Sequence, residues 1–338
     1  MNPLDLPEDS LAAYLEDKIP GFRGPLTATK FKGGQSNPTY LIDAASGKYV
    51  LRRKPPGQLL ASAHAVDREF RVLKALHGSP VPVAEPLHLC SDESVIGSMF
   101  YLMQYMDGRI FWDPSLPELA ADQRAAHYDA LIGTLAALHS IDVAAVGLAE
   151  YGKPGNYFAR QISRWGDQYR ASETQSIPAM DALIERLPAR CPADDGVVAL
   201  VHGDYRIDNL MFHREQPKII AVVDWELSTL GHPLADLGYF CMALRLPRNP
   251  ALPGLAGLDR AELGIPDEAA ILRRYTELTG RPMPADWPFV LAFSFFRLAA
   301  IAQGVAKRSQ QGNASSDKAA QAGQMTALLA ETGLRTLG

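Results

Sequence analysis

A change of periodicity near Leu119 constrains this chain more than any other feature of its sequence. Before it, LTATKFKGG, NPTYLIDAASG and KYVLRRKPPG combine β-branched and aromatic residues with Gly, Pro, Asn and Ser at the breaks, the pattern of successive antiparallel strands. Val66, Phe70, Leu73 and Leu76 then recur at helical spacing, which predicts a helix over Ala63–His77, and further strands follow around AEPLHLC and MFYLMQYM. After Leu119 the spacing predicts helices over Ala121–His139, Phe158–Ser172, Ala179–Leu187, Asp267–Thr279 and Pro288–Ser309. Short apolar strands around Leu210–Phe212 and Lys218–Val223 interrupt them, and Gln310–Lys318 is the most loop-like segment. The expected class is α+β: a small antiparallel β lobe with one main helix over residues 1–104, then a larger, mainly helical lobe over residues 105–338.

Composition narrows the partners. The 33 Lys and Arg against 38 Asp and Glu give a net charge of -5, without the broad basic footprint of non-specific nucleic-acid binding. A small-molecule acceptor is expected, with no nucleic acid and no membrane. Cys90, Cys191 and Cys241 lie far apart without a CxxC pair, so a reducing, cytoplasmic setting fits better than a disulfide framework. The acidic start MNPLDLPEDS lacks the basic segment and long apolar run of a signal peptide. Phe289–Ala302 is interrupted by Arg297 and reads as a buried helix too short to cross a bilayer.

The chemistry concentrates in VHGDYRIDNLMFH, Val201–His213. His202, Asp204 and Asn209 have the H-x-D-x-x-x-x-N spacing of a kinase catalytic loop, with Gly203 where protein kinases place Arg. A polar turn opening the Leu210–Phe212 strand is the plainer alternative. Downstream, KIIAVV is a short buried-strand candidate ending at Asp224, where a kinase presents its second metal-binding carboxylate. Phosphoryl transfer needs Mg²⁺, a hard ion that prefers oxygen, to neutralise the triphosphate. Asn209 and Asp224 supply such oxygens, and Asp204 would accept the proton of the attacking hydroxyl.

The combined segment VHGDYRIDNLMF…KIIAVVDWELSTLGHPLADLGYF resembles the phosphotransferases related to aminoglycoside and choline kinases, which share the two-lobed protein-kinase-like fold. Within that group, DWELSTLGHPLADL, LRRKPPG, FKGGQSNPTY and YFARQISRWGDQY are most similar to the kinase-like domain that some proteins carry ahead of an acyl-CoA dehydrogenase. The resemblance covers nearly the whole chain, and no dehydrogenase portion is expected within it. It implies ATP and Mg²⁺ as cofactors. It also implies that Gly33, Gly34, Gln35 and Ser36 form a turn over the nucleotide phosphates, although an isolated GGQSN also suits an ordinary hairpin turn. Arg52 takes the place of the usual phosphate-binding Lys, with Arg53 or Lys54 as other candidate contacts. Glu69 is either the acidic partner of Arg52 or a solvated charge on an amphipathic helix. Gln104 to Met106 would be the connector that hydrogen-bonds adenine, and Asp236 and His202 would brace the catalytic loop.

Other residues carry plainer readings. His139 would cap the end of its helix or complement its dipole. Tyr157, Phe158, Trp165 and Tyr169 recur at helical spacing as core, beside a region the resemblance assigns to the acceptor. Arg160, Arg164 and Arg170 form either a solvated face or a contact for an anionic acceptor such as coenzyme A. The sparse acidic residues there argue against a polycationic antibiotic. The expected activity is an ATP- and Mg²⁺-dependent small-molecule O-phosphotransfer to a hydroxyacyl-CoA or hydroxy acid. Aminoglycoside, choline or sugar alcohols, or a catalytically silent nucleotide-binding module, are the alternatives.

Overall fold

A computed structural model describes residues 5–31, 37–55, 65–249, 252–310 and 318–338, with side chains throughout except at 309–310 and 318–324. The chain divides into two compact units. The first comprises residues 1–109, 211–214 and 220–227, and the second the remainder. The division after Arg109 lies near the expected 104/105 boundary, but two later segments return to the first unit, which a linear reading of periodicity does not reveal.

In the first unit, α1 (Glu8–Lys18) precedes β1 (Leu26–Lys30), β2 (Thr39–Ala44), β3 (Gly47–Arg53), α2 (Val66–Leu76), β4 (Pro86–Cys90) and β5 (Phe100–Gln104). The strands form one antiparallel sheet in the order β1-β2-β3-β5-β4. Its apolar face packs Tyr40, Ile42, Leu51, Phe100 and Leu102 against Leu11 and Leu15 of α1. Only those two residues of α1 are buried, so the helix shows a single i, i+4 contact and little periodicity to find.

The second unit begins at the end of β6 (Arg109–Ile110) and continues through α3 (Ala121–His139), α4 (Tyr157–Ser172), α5 (Pro178–Arg190), β7 (Ala199–Val201), β8 (Leu210–Phe212), β9 (Ile219–Val222), β10 (Thr229–Gly231), α6 (Leu234–Met242), α7 (Arg260–Leu263), α8 (Glu268–Thr279), α9 (Trp287–Gln310) and α10 (Lys318–Leu337). All of β8 and β9 except their first residues, Leu210 and Ile219, belongs to the first unit, and β6, β8 and β9 form a small sheet. Of the expected helices, α3 has the predicted bounds and α4, α5, α8 and α9 differ by one to three residues at their ends.

The core of the second unit is α9. It is longer than the apolar stretch that marks it: by length and composition alone it could cross a membrane, with mean hydropathy 1.8, but 78% of that window is buried within the protein. The expectation of a buried helix holds, and the expectation that it is too short does not. Around it pack Phe158, Ile162 and Trp165 from α4, Leu183 and Leu187 from α5, and Tyr239 from α6. Gly238 allows the close approach of α6, because a Cβ there would lie 2.6 Å from Val290 and 2.9 Å from Ser294.

Candidate active site

The loop that opens with His202 is fixed by one buried carboxylate. Gly203 sits at φ 83°, a left-handed backbone that favours glycine, and this turns two successive amides toward Asp236. His202 N donates to Oδ2 at 2.6 Å and Gly203 N to Oδ1 at 2.8 Å. Backbone geometry therefore accounts for glycine where protein kinases carry Arg. Asp236 has no exposed surface. Burial works against its charge, but His139, His202 and the Gly203 amide together hold its carboxyl below the usual aspartate value.

His139 is part of this brace. Its ring is buried, with Nε2 3.3 Å from Asp236 Oδ2 and Nδ1 2.7 Å from the Tyr275 hydroxyl. Its side chain does not cap the helix end; the last carbonyl of α3, that of His139 itself, accepts from Arg281 at 2.9 Å. Burial pushes the His139 imidazole below its ordinary pKa, although Asp236 pulls the other way. His202, fully buried, accepts from the Asp204 amide through Nδ1 at 3.2 Å. Tyr205 ties the loop to α3 by donating to the Leu131 carbonyl at 2.7 Å.

On this support Asp204 keeps 22% of its side chain exposed. Asn209 Nδ2 donates to the Asp204 carboxylate at 2.9 Å and to its backbone carbonyl at 2.8 Å. The Asn209 Oδ1 is thereby turned away from these bonds. Arg206 Nε stands 3.4 Å from Asp204 Oδ1. Burial raises the Asp204 carboxyl, but Arg206, the Tyr239 hydroxyl, His202 and Arg297 outweigh it and hold the carboxyl below its ordinary value. Asp204 is an anion at neutral pH, suited to orienting a hydroxyl and receiving its proton late in the reaction.

In the first unit Arg52, on β3, lies between acidic groups. Its Nε is 2.8 Å from Glu69 Oε2, and its terminal nitrogen is 2.7 Å from Asp224 Oδ1 and 3.8 Å from Glu226. Glu69 is 2% exposed and also accepts from Asn37 at 2.7 Å and Tyr101 at 3.1 Å. Of the two readings of Glu69, the solvated charge is excluded. Burial works against the charge of Arg52, but Glu69 and Asp224 hold it protonated more firmly than usual. Arg53 is buried at 2% exposure and donates to Ser98 at 2.8 Å, which removes it as a phosphate contact.

Asp224 adopts φ 65°, a left-handed conformation rare for a non-glycine residue and concentrated at functional sites. Its Oδ2 makes no hydrogen bond among the described residues. Like Asn209 Oδ1 in the second unit, it is a hard oxygen donor of the kind that Mg²⁺ prefers.

The amide of Gln104 is engaged by the Glu85 carbonyl at 2.9 Å, whereas the backbone of Met106 bonds to no described residue. Gly33, Gly34, Gln35 and Ser36 lie outside the described residues. Tyr157, Phe158, Trp165 and Tyr169 face the core. Arg160 donates to the carbonyls of Lys153 and Pro154, Arg170 pairs with Asp181 and Glu173, and Arg164 lies 5.3 Å from the Trp165 ring centre. Sequence reasoning missed Asn37, Tyr101, Arg206, Tyr239 and the place of Arg297. Of these, Arg206 carried a signal because it lies within the catalytic stretch, and Arg297 because it interrupts an apolar run.

Comparison with known proteins follows this geometry. Residues 27–274 match the family model described as a phosphotransferase enzyme family. The chain is 49% identical over 328 residues to acyl-CoA dehydrogenase family member 10 of Mus musculus, covering 96% of this chain and 31% of that protein. It is 45% identical over 331 residues to family member 11 of Rattus norvegicus, covering 96% and 42%. The chain thus spans about a third to two-fifths of these relatives' length. A crystal structure from Ralstonia eutropha, provisionally named an aminoglycoside phosphotransferase, aligns at TM-score 0.90 with 49% identity over 98% of both chains. The aminoglycoside phosphotransferase APH(4)-Ia, in a ternary complex with AMP-PNP and hygromycin B, shares the fold at TM-score 0.63 and 18% identity, over 96% of this chain and 98% of that one. A small antiparallel unit, a mainly helical unit and a family match across most of the chain lead to one assignment: the chain belongs to the phosphotransferase enzyme family.

Proposed function

We propose that the protein transfers the γ-phosphoryl group of ATP to the hydroxyl of a small molecule, with Asp204 as the catalytic base. The observation that carries this reading is an ionised, partly exposed Asp204 on a loop anchored by backbone bonds to Asp236. In the proposed reaction the acceptor oxygen bonds to the γ-phosphorus as the bond to the β,γ-bridging oxygen breaks; ADP leaves, and the hydroxyl proton passes to Asp204. Asn209 and Asp224 are the proposed oxygen ligands of Mg²⁺, which when bound would neutralise phosphate charge. Arg52 is the proposed phosphate contact, held in place by Glu69, and the unengaged Met106 backbone is the better candidate for adenine. Nucleotide use draws support from the AMP-PNP complex of the structural relative. The dehydrogenase names of the longer relatives favour a hydroxyacyl-CoA or hydroxy acid as acceptor. A reducing, cytoplasmic setting suits Cys90, Cys191 and Cys241, all of them free thiols.

The test is acceptor-dependent ADP release from Mg²⁺-ATP across hydroxyacyl-CoAs, hydroxy acids, choline, sugars and aminoglycosides. Asp204→Asn should lower turnover by about two to four powers of ten. Full turnover in that variant would remove Asp204 from the chemistry. Nucleotide-induced stabilisation without turnover on any acceptor would favour a silent nucleotide-binding module.

A further inference from the structure

Arginine and a buried carboxylate ordinarily meet through two parallel N–H···O bonds, which occupy both oxygens of the acid and two nitrogens of the base. Arg52 and Glu69, both in the first unit, do not meet that way. Nε lies 2.8 Å from Oε2 without the alignment of a hydrogen bond, and among the described residues neither terminal nitrogen bonds to the acid. The other oxygen, Oε1, is taken by Asn37, whose Nδ2 donates to it at 2.7 Å. Tyr101 donates to Oε2 at 3.1 Å. Asn37, Glu69 and Tyr101 are each 2% exposed, so the acid is shut in with these partners.

The fork of Arg52 is directed elsewhere. One terminal nitrogen donates to Asp224 Oδ1 at 2.7 Å and the other to Thr39 Oγ1 at 3.4 Å. The Thr39 hydroxyl donates in turn to the Asn37 carbonyl at 3.1 Å, which leaves its lone pairs for the guanidinium. Asn37 therefore acts on Arg52 from two sides. Its amide fills the oxygen that a full fork would need, and its carbonyl orients the hydroxyl that receives a terminal nitrogen. A lysine would have no use for this arrangement, because an ammonium is a point charge with no second donor fixed in plane beside the first. An arginine facing both oxygens of a buried acid would close on them instead. Resting on the reading of Arg52 as the phosphate contact, we propose that Asn37 is a positioning residue: it blocks two-point pairing of Arg52 with Glu69 and so keeps the terminal nitrogens of Arg52 for nucleotide phosphate.

The experiment crosses Asn37→Leu with Arg52→Lys and reads two quantities in each protein: the ligand-free thermal midpoint, and the affinity for Mg²⁺–AMP-PNP by calorimetry. Leu resembles Asn in shape but cannot donate, so Glu69 Oε1 becomes available to Arg52. With Arg52 present, Asn37→Leu should leave the ligand-free midpoint at or above that of wild type, because the fork closes on Glu69. It should also weaken nucleotide binding by at least about tenfold, because the same donors are withdrawn from phosphate. In the Arg52→Lys background the pattern should invert. The midpoint falls, since a buried oxygen is left without a donor, and affinity changes by less than about twofold beyond the effect of Arg52→Lys alone. Asn37→Ala, which removes the amide without risk of a clash, should follow Asn37→Leu in both backgrounds. If both substitutions at Asn37 lower the midpoint or prevent folding with Arg52 present, Asn37 is structural and the proposal is overturned. Equal losses of affinity in the two backgrounds, or wild-type affinity in folded Asn37→Leu, overturn it as well, and in each of these cases the nucleotide reading stands. If wild type itself binds no Mg²⁺–AMP-PNP, the nucleotide reading fails and the proposal falls with it.

Discussion

In the first unit Asp224 is held by a side chain, the guanidinium of Arg52, which it shares with Glu69. In the second, Asp236 holds the Asp204 loop through two backbone amides, leaving Asp204 partly exposed. The difference separates a centre that a ligand can rearrange from one that it cannot. Ion pairs at a partly exposed carboxylate can be exchanged for phosphate oxygens at modest cost. A loop anchored by its own amides moves only if the backbone refolds.

Substitutions can break this comparison. The largest stability loss should follow Asp236→Asn, which leaves one of the two buried amides facing an NH₂ group. It should cost about 3 kcal/mol, read as a lower denaturant midpoint, and a loss below about 1 kcal/mol would mean the loop is held elsewhere. Gly203→Ala should cost about 1–2 kcal/mol through its left-handed backbone, with a matching drop in turnover because Asp204 is misdirected. Arg52→Lys keeps the charge but loses the fork, and should cost less than about 1 kcal/mol of stability. Its main effect should be on nucleotide, seen as a smaller thermal shift with Mg²⁺-ATP. If Arg52→Lys destabilises the protein more than Gly203→Ala does, the proposed contrast is reversed.

Acid sharpens the same contrast with a smaller effect. The Asp236 carboxyl is depressed in the folded state, so its contribution is present above the unfolded value near 3.9 and lost as the pH falls through the folded value. His139 is depressed by burial, so the unfolded chain takes up its proton first. Stability therefore begins to erode as the pH falls below about 6.5. His139→Gln should shrink that upper limb of the thermal midpoint against pH, to which His88 and His232, also depressed by burial, contribute, and leave the lower one. An unchanged upper limb would show that another group titrates there.

The readable parts of the site were those close together along the chain. His202, Asp204 and Asn209 fall within one turn and strand, and KIIAVV leads directly to Asp224. The Arg52 and Glu69 pair needed a fold before its ambiguity could end, because charges flank Glu69 on both sides in the sequence. Arg297 interrupts an apolar run visibly, but its position between Trp165 and Tyr239 depends on packing among three helices. His139 was misread because the last turn of a helix ordinarily meets solvent, whereas α8 supplies Tyr275 against it. Helix α6 was missed for a related reason. With Ala235 through Met242 all buried, it has no polar face to set a period.

That helix carries one further consequence, for chain length. Each residue advances a helix by about 100°, so removing a single residue between Gly231 and Leu234 while α6 keeps its start would swing Asp236 away from the amides of His202 and Gly203. It would also drive a larger side chain into the gap that Gly238 leaves for Val290. In a lineage of such chains, substitutions along α6 can be answered by neighbouring substitutions, but an insertion or deletion has no such remedy. The interval from Gly231 to Asp236 should therefore behave as a ruler, fixed in length even where its letters drift.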